Sequence, residues 1–427
     1  MQTAIDTDAI RKNNHDQLVA YYRSGIAQPG SPKRLGVEIE HFIVTDDGNA
    51  PVCYEGRDGI IGVQDILHHL QAFYPQATFG SHGELLGLAN ETGSITLEPA
   101  AQLEISIAPY ERVRDVETAY RAFRNALDPF LSQHGCHAAS YGYHPSARAL
   151  ELPLIPKERY AFMDAHFARL GTHGARMMRA SASTQVSIDY YSEEDAVRKL
   201  RVATALGPVL AYISDNCPVF EGHPNTEPLA RMNLWRDVDK ARCESIPGVF
   251  DEGFGFAACA DWLLRTPPIF ITRPAANAPD GPALRLFGDM PAADAYADAP
   301  MEKSDIEHLI SMFWPDVRLK RFVEIRQGDS LPANEAYGYA ALIKGLFYAE
   351  ESLSAIEAAL GVRDGIWPQD DTSVNAALAE VRAHGENAWL CGMELSRWVE
   401  LLFDAAAAAL PPEEAEYLHA LRHRTRR

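Results

Sequence analysis

The feature that most constrains this chain is a set of four short segments in which apolar and polar residues alternate. The segments are residues 34–44, 94–108, 183–189 and 317–326. Because successive side chains of a β-strand point to opposite faces, each segment predicts a strand with one apolar face and one polar face. The apolar faces need a cover, so the pattern predicts a sheet with helices packed on it.

Acidic residues recur on the polar faces of these predicted strands. They are Glu38, Glu40, Glu98, Glu104, Asp189 and Glu324. Carboxylates are uncommon in strands, and like charges on neighbouring strands destabilise a sheet. If the strands adjoin, the acids repel one another unless cations lie among them. Mg²⁺ would provide that compensation, because it prefers oxygen ligands and often shares them with phosphate.

Basic residues accompany the acid on the polar face of the last segment. Arg318, Lys320 and Arg326 are suited to bind the anion that a metal ion carries, whereas Arg321 falls on the apolar side and breaks the alternation. Two interpretations of the four segments stay open at this point. They are either half-exposed strands with solvated polar faces, or the walls of a carboxylate-lined cavity for metal and phosphate.

The rest of the chain predicts helices and loops around these strands. The predicted helices cover residues 8–27, 62–74, 111–134 and 192–214, and a largely helical part begins at about residue 333. Residues 274–300, rich in Pro, Ala, Gly and Asp, predict a loop. Strands and helices do not alternate as βαβ units, so the predicted fold class is α+β with a mainly antiparallel sheet. The length of 427 residues allows one large domain or two smaller ones.

Composition narrows the range of partners and compartments. The net charge of −20 repels phosphate backbones and anionic lipids, so we expect neither nucleic acid nor membrane as a partner. No apolar run reaches the roughly 18 residues of a membrane span, and the polar N-terminal residues do not resemble a secretory signal. The six cysteines include no CxxC pair, which is typical of buried thiols in a reducing compartment. We therefore expect a cytoplasmic protein.

At these same positions the sequence resembles the type 2, plant-like family of glutamate–cysteine ligases. The similar segments are residues 35–43, 94–109, 177–189, 235–242 and 317–326. The resemblance implies a curved, mainly antiparallel sheet that forms a funnel-shaped active site and is flanked by helices, like the catalytic domain of glutamine synthetase. It also implies a single ligase catalytic domain over residues 1–427.

The resemblance implies an activity as well. ATP phosphorylates the γ-carboxylate of glutamate, and the amine of cysteine then displaces phosphate, which is the first step of glutathione-type thiol synthesis. ATP and Mg²⁺ are the implied cofactors, and small molecules are the implied partners: glutamate, cysteine or another amine, and ATP. The carboxylate must be activated by ATP, because a free carboxylate does not react with an amine at a useful rate, whereas an acyl phosphate does.

Roles for individual residues follow from their positions in the similar segments. The implied metal ligands are Glu38, Glu40, Glu104 and Glu324; the implied catalytic residues are Glu98 and Arg326; and the implied substrate or nucleotide contacts are Gln102, Gln185, Arg242, Arg318 and Lys320. Trp235 and Trp262 are interpreted as core aromatics.

Three functions remain to be separated. The first is glutamate–cysteine ligation. The second is the same chemistry with another amine acceptor, because Ser187 and the region around Cys243 depart from the family pattern. The third is a carbohydrate-binding or carbohydrate-hydrolysing protein, since paired carboxylates also serve glycosidases. The basic residues of the last segment argue against this third function, because neutral sugars need no such cluster.

Overall fold

The computed structural model describes residues 6–275 and 284–425. The strands of this part, β1 to β17 in chain order, are Leu35–Thr45, Gln76–Phe79, Leu85–Asn90, Gly93–Leu97, Leu103–Tyr110, Cys136–Ala139, Thr184–Ile188, Val219–Phe220, His223–Pro224, Cys243–Glu244, Ile271–Thr272, Leu284–Arg285, Trp314–Pro315, Val317–Leu319, Val323–Ile325, Trp389–Leu390 and Met393–Glu394. The helices, α1 to α17, are Thr7–Arg23, Val63–Leu70, Val113–Gln133, Glu158–Phe167, Gly174–Ala180, Glu193–Ala205, Gly207–Ser214, Ala230–Trp235, Phe256–Arg265, Ala292–Ala295, Lys303–Ile310, Ala333–Phe347, Glu350–Ala359, Ser373–His384, Leu395–Ala409, Pro412–Ala415 and Leu418–Arg424.

One large antiparallel sheet organises the molecule. Its strand order is β14-β15-β7-β1-β5-β4-β3-β2, and β6 pairs with the end of β1. Each neighbouring pair in this sheet runs antiparallel. The predicted α+β class with a mainly antiparallel sheet is therefore confirmed, and the four alternating segments adjoin one another within it.

The central strand β1 shows why the sequence folds in this way. Its residues Leu35, Val37 and Ile39 are buried on the apolar face of the sheet. The helices α3 and α12 pack on this apolar side, against β5 and against β1 and β7 respectively. Burying large aliphatic side chains stabilises the fold by roughly 1.5–3 kcal/mol each, so the alternation fixes which face of β1 turns towards the helices.

The segment over residues 94–108 is a hairpin, not the single strand that its alternation predicts. β4 and β5 flank a tight turn in which the Glu98 amide donates to the Gln102 carbonyl and Ala101 adopts a left-handed backbone with φ of 70°. Thr96 pairs directly with Glu104 across the hairpin. Because paired residues share a face, the polar residues of both arms still lie together.

The last alternating segment is also a hairpin. β14 and β15 pair so that Arg318 lies opposite Glu324. The turn between them contains Arg321, and the Lys320 amide donates to the Phe322 carbonyl at 2.9 Å. Arg321 breaks the alternation because it lies in the turn, where the period of two no longer applies.

Two other predicted elements differ from the structure. The helix predicted over 192–214 divides at Leu206 into α6 and α7, and the first turn of α7 contains Pro208, which has no amide hydrogen to continue the earlier helix. Within the loop predicted over 274–300, residues 276–283 lie outside the described residues. The rest of that loop contains β12 and α10.

The C-terminal part is helical, as predicted from about residue 333. Helices α12 to α17 occupy most of it, and the close approach of α12 and α15 depends on Gly345. A Cβ atom at this glycine would lie only 2.7–2.8 Å from atoms of Ala406. None of the helices in the described ranges has the length and apolar content needed to cross a bilayer.

Candidate active site

A cavity of about 290 Å³ lies on the polar face of the sheet. The strand register places Glu38 opposite both Ser106 and Gln185, and Glu40 opposite Glu104. Most of the residues predicted for the site line this cavity: Glu38, Glu40, Glu98, Gln102, Glu104, Gln185, Arg318, Lys320 and Arg326. The structure does not place Glu324 and Arg242 among the lining residues.

The acidic side of the cavity brings several buried carboxyl groups close together. Burial and the neighbouring carboxylates together raise the pKa of Glu38, of Glu98 and of Glu104 to about 7 each. For Glu38 these neighbours are Glu104 and Glu324, and for Glu98 the neighbour is Glu40. A carboxyl group with such a pKa binds a proton readily, and a metal cation would compete for the same oxygens.

Glu40 is the most firmly held of the cavity acids. Its carboxylate accepts hydrogen bonds from the Ser183 amide at 2.8 Å, the Ser183 hydroxyl at 2.7 Å and the Gln185 Nε2 at 3.1 Å. Burial raises the pKa of Glu40, while Arg231 and the bonds from Ser183 oppose that rise. The side chain is therefore fixed in orientation with much of its hydrogen-bonding capacity used.

Glu324 lies beneath the cavity and holds its basic side. Its carboxylate accepts hydrogen bonds from Arg318 Nε at 2.6 Å, Lys320 Nζ at 2.7 Å and Arg326 Nη1 at 3.1 Å. Burial opposes ionisation of Glu324, but these three cations outweigh it and hold the pKa of this carboxyl well below its usual range. The side chain is fully buried and is hydrogen-bonded to three protein cations. Within the described residues, the acids that face the cavity have cations only at longer range.

The two predicted glutamines have different surroundings. The Gln185 Oε1 accepts a 2.5 Å hydrogen bond from Arg326 Nη1, so this amide connects Glu40 on one strand to Arg326 on another. The Gln102 Nε2 donates to the carbonyls of Met178 and Ser181, and its Oε1 accepts from an amide of its own turn. Gln102 therefore fixes the β4–β5 turn against the end of α5, with its amide group fully engaged.

Arg242 is the predicted site residue that lies away from the cavity. Its guanidinium donates to the Asp239 carboxylate at 2.5 Å and to the Pro267 carbonyl. Asp239 is three residues earlier in the chain and buried, so it offers a nearer partner than any group of the cavity. The alternation that placed the other residues gives no information here, because this part of the chain forms no long strand.

The model of glutamate–cysteine ligase family 2 matches residues 34–427. The chain belongs to this family.

The relatives agree with the match. Glutamate–cysteine ligase B, chloroplastic, from Oryza sativa subsp. japonica is 32% identical over 344 residues, which are 80% of this chain and 67% of the relative. The chloroplastic enzyme of Arabidopsis thaliana is 30% identical over 80% of this chain and 64% of its own length. The family predicted from the similar segments is therefore confirmed.

A solved structure supports the fold. The crystal structure of glutamate–cysteine ligase from Francisella tularensis in complex with AMP has a TM-score of 0.54 with this chain and covers 92% of it, while the chain covers 82% of that structure. The two sequences are only 12% identical, so the likeness concerns the fold alone.

One expectation from the sequence is wrong. The relatives from Oryza sativa and Arabidopsis thaliana are named as chloroplastic enzymes, which contradicts the cytoplasmic location expected for this chain. Charge and cysteine content carry no information that separates one reducing compartment from another.

The donor set of this family member fits a hard cation. Glu38, Glu40, Glu98 and Glu104 present carboxylate oxygens to one cavity, and burial, together with neighbouring carboxylates for all but Glu40, raises their pKa values. Oxygen ligands of this kind are those that Mg²⁺ prefers. In the described part of the chain, no group of three or more His, Cys, Asp or Glu side chains is arranged closely enough to hold a metal ion as it stands.

Sequence patterns missed several lining residues. Lys157 and Arg159 flank the start of α4, and Arg231 and Trp235 belong to α8. Trp235, interpreted as a core aromatic, is largely buried and also lines the cavity. Alternation reports on neighbours within one strand, whereas these residues reach the cavity from helices that the tertiary fold brings over the sheet.

Proposed function

We propose that this chain joins the γ-carboxylate of glutamate to the amine of cysteine, with ATP cleaved to ADP and phosphate through a γ-glutamyl phosphate. The observation that carries the proposal is the cavity. In this chain of family 2, acidic and basic residues line one cavity on the same face of the sheet. An acid-lined side suits metal-bound phosphates, and a basic side suits the oxygens of a carboxylate or phosphate.

The basic side of the cavity would stabilise the charge of phosphoryl transfer. Attack of the glutamate γ-carboxylate on the γ-phosphate brings two anions together. The new bond from the carboxylate oxygen to phosphorus forms as the bond from phosphorus to the β-phosphate oxygen breaks, and ADP leaves with the displaced negative charge. Arg318, Lys320 and Arg326 are held in place by Glu324 before any substrate binds. Such fixed donors need no reorganisation when the charge develops, which is the usual source of electrostatic catalysis.

The acidic side would hold Mg²⁺, which screens the repulsion between phosphate oxygens and the attacking carboxylate when bound. We assign the contacts to Glu38, Glu40 and Glu104, with Glu98 beside them. The network from Glu40 through Gln185 to Arg326 fixes the metal side and the phosphate side relative to each other. Glu324 then acts through the three cations that it positions.

Three acids of the cavity have pKa values raised to about 7, and two of them, Glu38 and Glu104, are assigned to the metal. We therefore assign to the third, Glu98, the removal of a proton from the attacking amine. Its pKa is raised to about 7, and a general base is most effective when its pKa lies near the working pH. Loss of this proton lets the neutral amine attack the acyl phosphate. The lining residues Met163, Met177 and Met178 add apolar surface suited to a small thiol side chain.

A second candidate function is the same ligation with a different amine. It was raised by the departures at Ser187 and near Cys243. Neither side chain lies in the wall of the cavity: Ser187 pairs with Glu324 in the sheet, and Cys243 is buried in β10. These two departures therefore give no reason to prefer another amine, and the family match favours cysteine as the acceptor. Hydrolysis of neutral sugars is disfavoured by the many cations of the cavity.

The proposal can be tested by measuring phosphate release in assays that each omit one of the substrates. The γ-linked dipeptide should form only when ATP, Mg²⁺, glutamate and cysteine are all present. ADP should form only when glutamate is present, and cysteine should speed its formation. Turnover with another amine but not with cysteine would favour the second candidate. Absence of ATP cleavage with any acid and amine would contradict ligation altogether.

A further inference from the structure

Arg231 is a cation of the cavity wall with a counter-charge behind it. Its side chain lines the cavity and is almost completely buried. Its Nη1 lies 3.9 Å from the Asp329 carboxylate, the only carboxylate in residues 6–275 and 284–425 that forms an ion pair with Arg231. Asp329 is buried as well and lies outside the cavity wall, so the two residues connect the cavity to the interior of the fold.

The hydrogen bonds of Arg231 are too long to fix its guanidinium. Nη1 and Nη2 each lie 3.4 Å from the Arg326 carbonyl, and Nη1 lies equally far from the Gln327 carbonyl. Its Nε is buried and has no hydrogen-bond partner in the described part of the chain. Good N–H···O bonds measure about 2.9–3.0 Å, and longer ones are weaker. The position of this side chain therefore depends mainly on the charges around it.

Two carboxylates attract the Arg231 guanidinium, one in the cavity and one behind its wall. Burial lowers the pKa of Arg231, and Asp329 and Glu40 both oppose that shift. Glu40 faces the cavity, whereas Asp329 does not. Arg326 repels the guanidinium, and neutralising Asp329 would leave Glu40 to attract it. Arg231 would then shift towards the acids of the cavity.

Asp329 is held rigidly in its place. Its Oδ2 accepts a 2.8 Å hydrogen bond from the Asn216 amide. A Cβ atom at Gly142 would overlap the carboxyl group of Asp329, so a glycine is needed there to leave room for it. Burial and Asp215 raise the pKa of Asp329 to about 7, although Arg231 and the bond from Asn216 oppose the rise. The carboxyl group is therefore largely ionised at pH 8.

The start of α8, the helix that contains Arg231, depends on the same part of the chain. Leu229 precedes this six-residue helix with a left-handed backbone, φ of 59°, and its amide donates to the Asp215 Oδ2 at 3.0 Å. Such a backbone is unfavourable for a residue with a Cβ atom, and so short a helix is not stable on its own. Residues 215 and 216 therefore hold both the backbone before Arg231 and the carboxylate that pairs with its guanidinium.

We infer that Asp329 is a positioning residue, which acts through Arg231 and not on a substrate. Its charge keeps the guanidinium in the cavity wall, apart from Glu40. In this position Arg231 offers free N–H groups to an anionic substrate, and the oxygens of Glu40 stay accessible. The inference rests on the proposed function and adds to it a residue that lies outside the cavity.

A purely structural role of Asp329 is the competing explanation. Breaking a buried ion pair destabilises a protein, but the molecules that still fold would then bind substrates as before. Ligand binding and stability must therefore be measured on the same variants. If Asp329 acts through Arg231, its effect on binding must also depend on Arg231.

A double-mutant cycle between Asp329 and Arg231 tests the inference without turnover. The proteins are wild type, Asp329→Asn, Arg231→Gln and the variant with both changes. Each is titrated calorimetrically at pH 8 with glutamate and with ADP plus Mg²⁺. We expect Asp329→Asn to weaken binding of the same probe as Arg231→Gln, by roughly 10- to 100-fold, and to have almost no further effect once Arg231 is replaced.

Two further variants separate position from stability. Gly142→Ala keeps the charge of Asp329 but displaces its carboxyl group, so it should weaken binding of that probe as well, and it serves if Asp329→Asn does not fold. Asp305→Asn is the matched control, because buried Asp305 pairs with Arg273 at 3.0 Å and lies outside the cavity wall. The control should melt at a lower temperature but bind both probes as wild type does.

Binding of both probes at wild-type affinity by Asp329→Asn and by Gly142→Ala overturns the inference, whatever their melting temperatures. An equal loss from Asp329→Asn in the presence and in the absence of Arg231 also overturns it, and so does a wild-type protein that binds neither probe. A wild-type protein that shows the expected coupling yet forms no dipeptide would contradict the proposed function and leave the role of Asp329 standing.

Discussion

At the scale of single residues, the acids of the site fall into two kinds that the sequence cannot separate. Glu38 faces the cavity among like charges, whereas Glu324 lies beneath it with three cations bound. Both alternate with apolar residues in their strands, so the pattern places both on the polar face. The difference depends on which strand lies next to which, and this is a property of the sheet.

Substitution by glutamine should distinguish the acids that face the cavity from the acid that is paired with cations. Glu38→Gln removes one charge from a repelling cluster, so the metal-free protein should melt at the same or a higher temperature, while the Mg²⁺ concentration for half-maximal activity rises about 10- to 100-fold. Glu324→Gln leaves three cations without their counter-charge and should lower the free energy of unfolding by about 3–5 kcal/mol. Thermal melting and Mg²⁺ titration of activity measure both, with exposed Glu55→Gln as the control. Equal destabilisation by the two variants would contradict this division.

Arg326 gives a second prediction at this scale. Its guanidinium spans Gln185 and Glu324, and a lysine at this position keeps the charge but loses the fork. We expect Arg326→Lys to lower kcat by about 10-fold or more, with a smaller effect on melting. Arg321→Lys is the matched control, because Arg321 lies exposed in the turn between β14 and β15. Kinetics of Arg326→Lys that match those of the control would remove Arg326 from the catalytic machinery.

At the scale of elements, periodic segments were predicted well and turns were not. β1 was predicted at 34–44 and lies at Leu35–Thr45, and α3 was predicted at 111–134 and lies at Val113–Gln133. The turn between β4 and β5 was missed because the alternation continues through it on the same face. The turn contains Pro99, but the left-handed residue is Ala101, and no Gly or Asn marks that position.

The role of Gln102 in holding the β4–β5 turn in place can be tested. Gln102→Met keeps the size of the side chain but leaves the carbonyls of Met178 and Ser181 without their donor. Unsatisfied buried groups cost about 1–3 kcal/mol, so denaturant unfolding should show a loss of stability of that order. Gln133→Met, exposed at the end of α3, should unfold as wild type does. Weaker substrate binding by Gln102→Met at unchanged stability would instead make Gln102 a direct substrate contact.

The acidic face as a unit predicts how stability depends on pH. The pKa values of Glu38, Glu98 and Glu104 are raised to about 7 in the folded, metal-free protein, above those of the unfolded chain. The folded state therefore holds more protons between pH 4.5 and 7, and the free energy of unfolding falls as pH rises through this window.

Mg²⁺ binds the ionised carboxylates and competes with these protons. The rise in melting temperature on adding Mg²⁺ should consequently be larger at pH 8 than at pH 6, as measured by thermal melting with and without the ion. An equal rise at both pH values would place the metal site away from these acids.

At the scale of the whole molecule, the fold and the family could be predicted from the sequence because several separated segments each carried part of the pattern. The other walls of the cavity could not be predicted from the sequence. Lys157, Arg159 and Arg231 come from helices, and the spacing of their residues does not indicate which sheet they pack over. The single catalytic domain over residues 1–427 and the roles of the site residues stay predictions. The central feature of the molecule is one sheet whose strands bring acidic and basic residues to the same cavity.

Isotope transfer from glutamate labelled with ¹⁸O in the γ-carboxylate tests the central claim most directly. Attack of this carboxylate on the γ-phosphate of ATP leaves one labelled oxygen bridging carbon and phosphorus, and the amine of cysteine then displaces that oxygen with the phosphate. We therefore predict that released phosphate carries one ¹⁸O atom for each γ-linked dipeptide formed, and that ADP is the nucleotide product. Unlabelled phosphate, or AMP and pyrophosphate in place of ADP, would contradict the account.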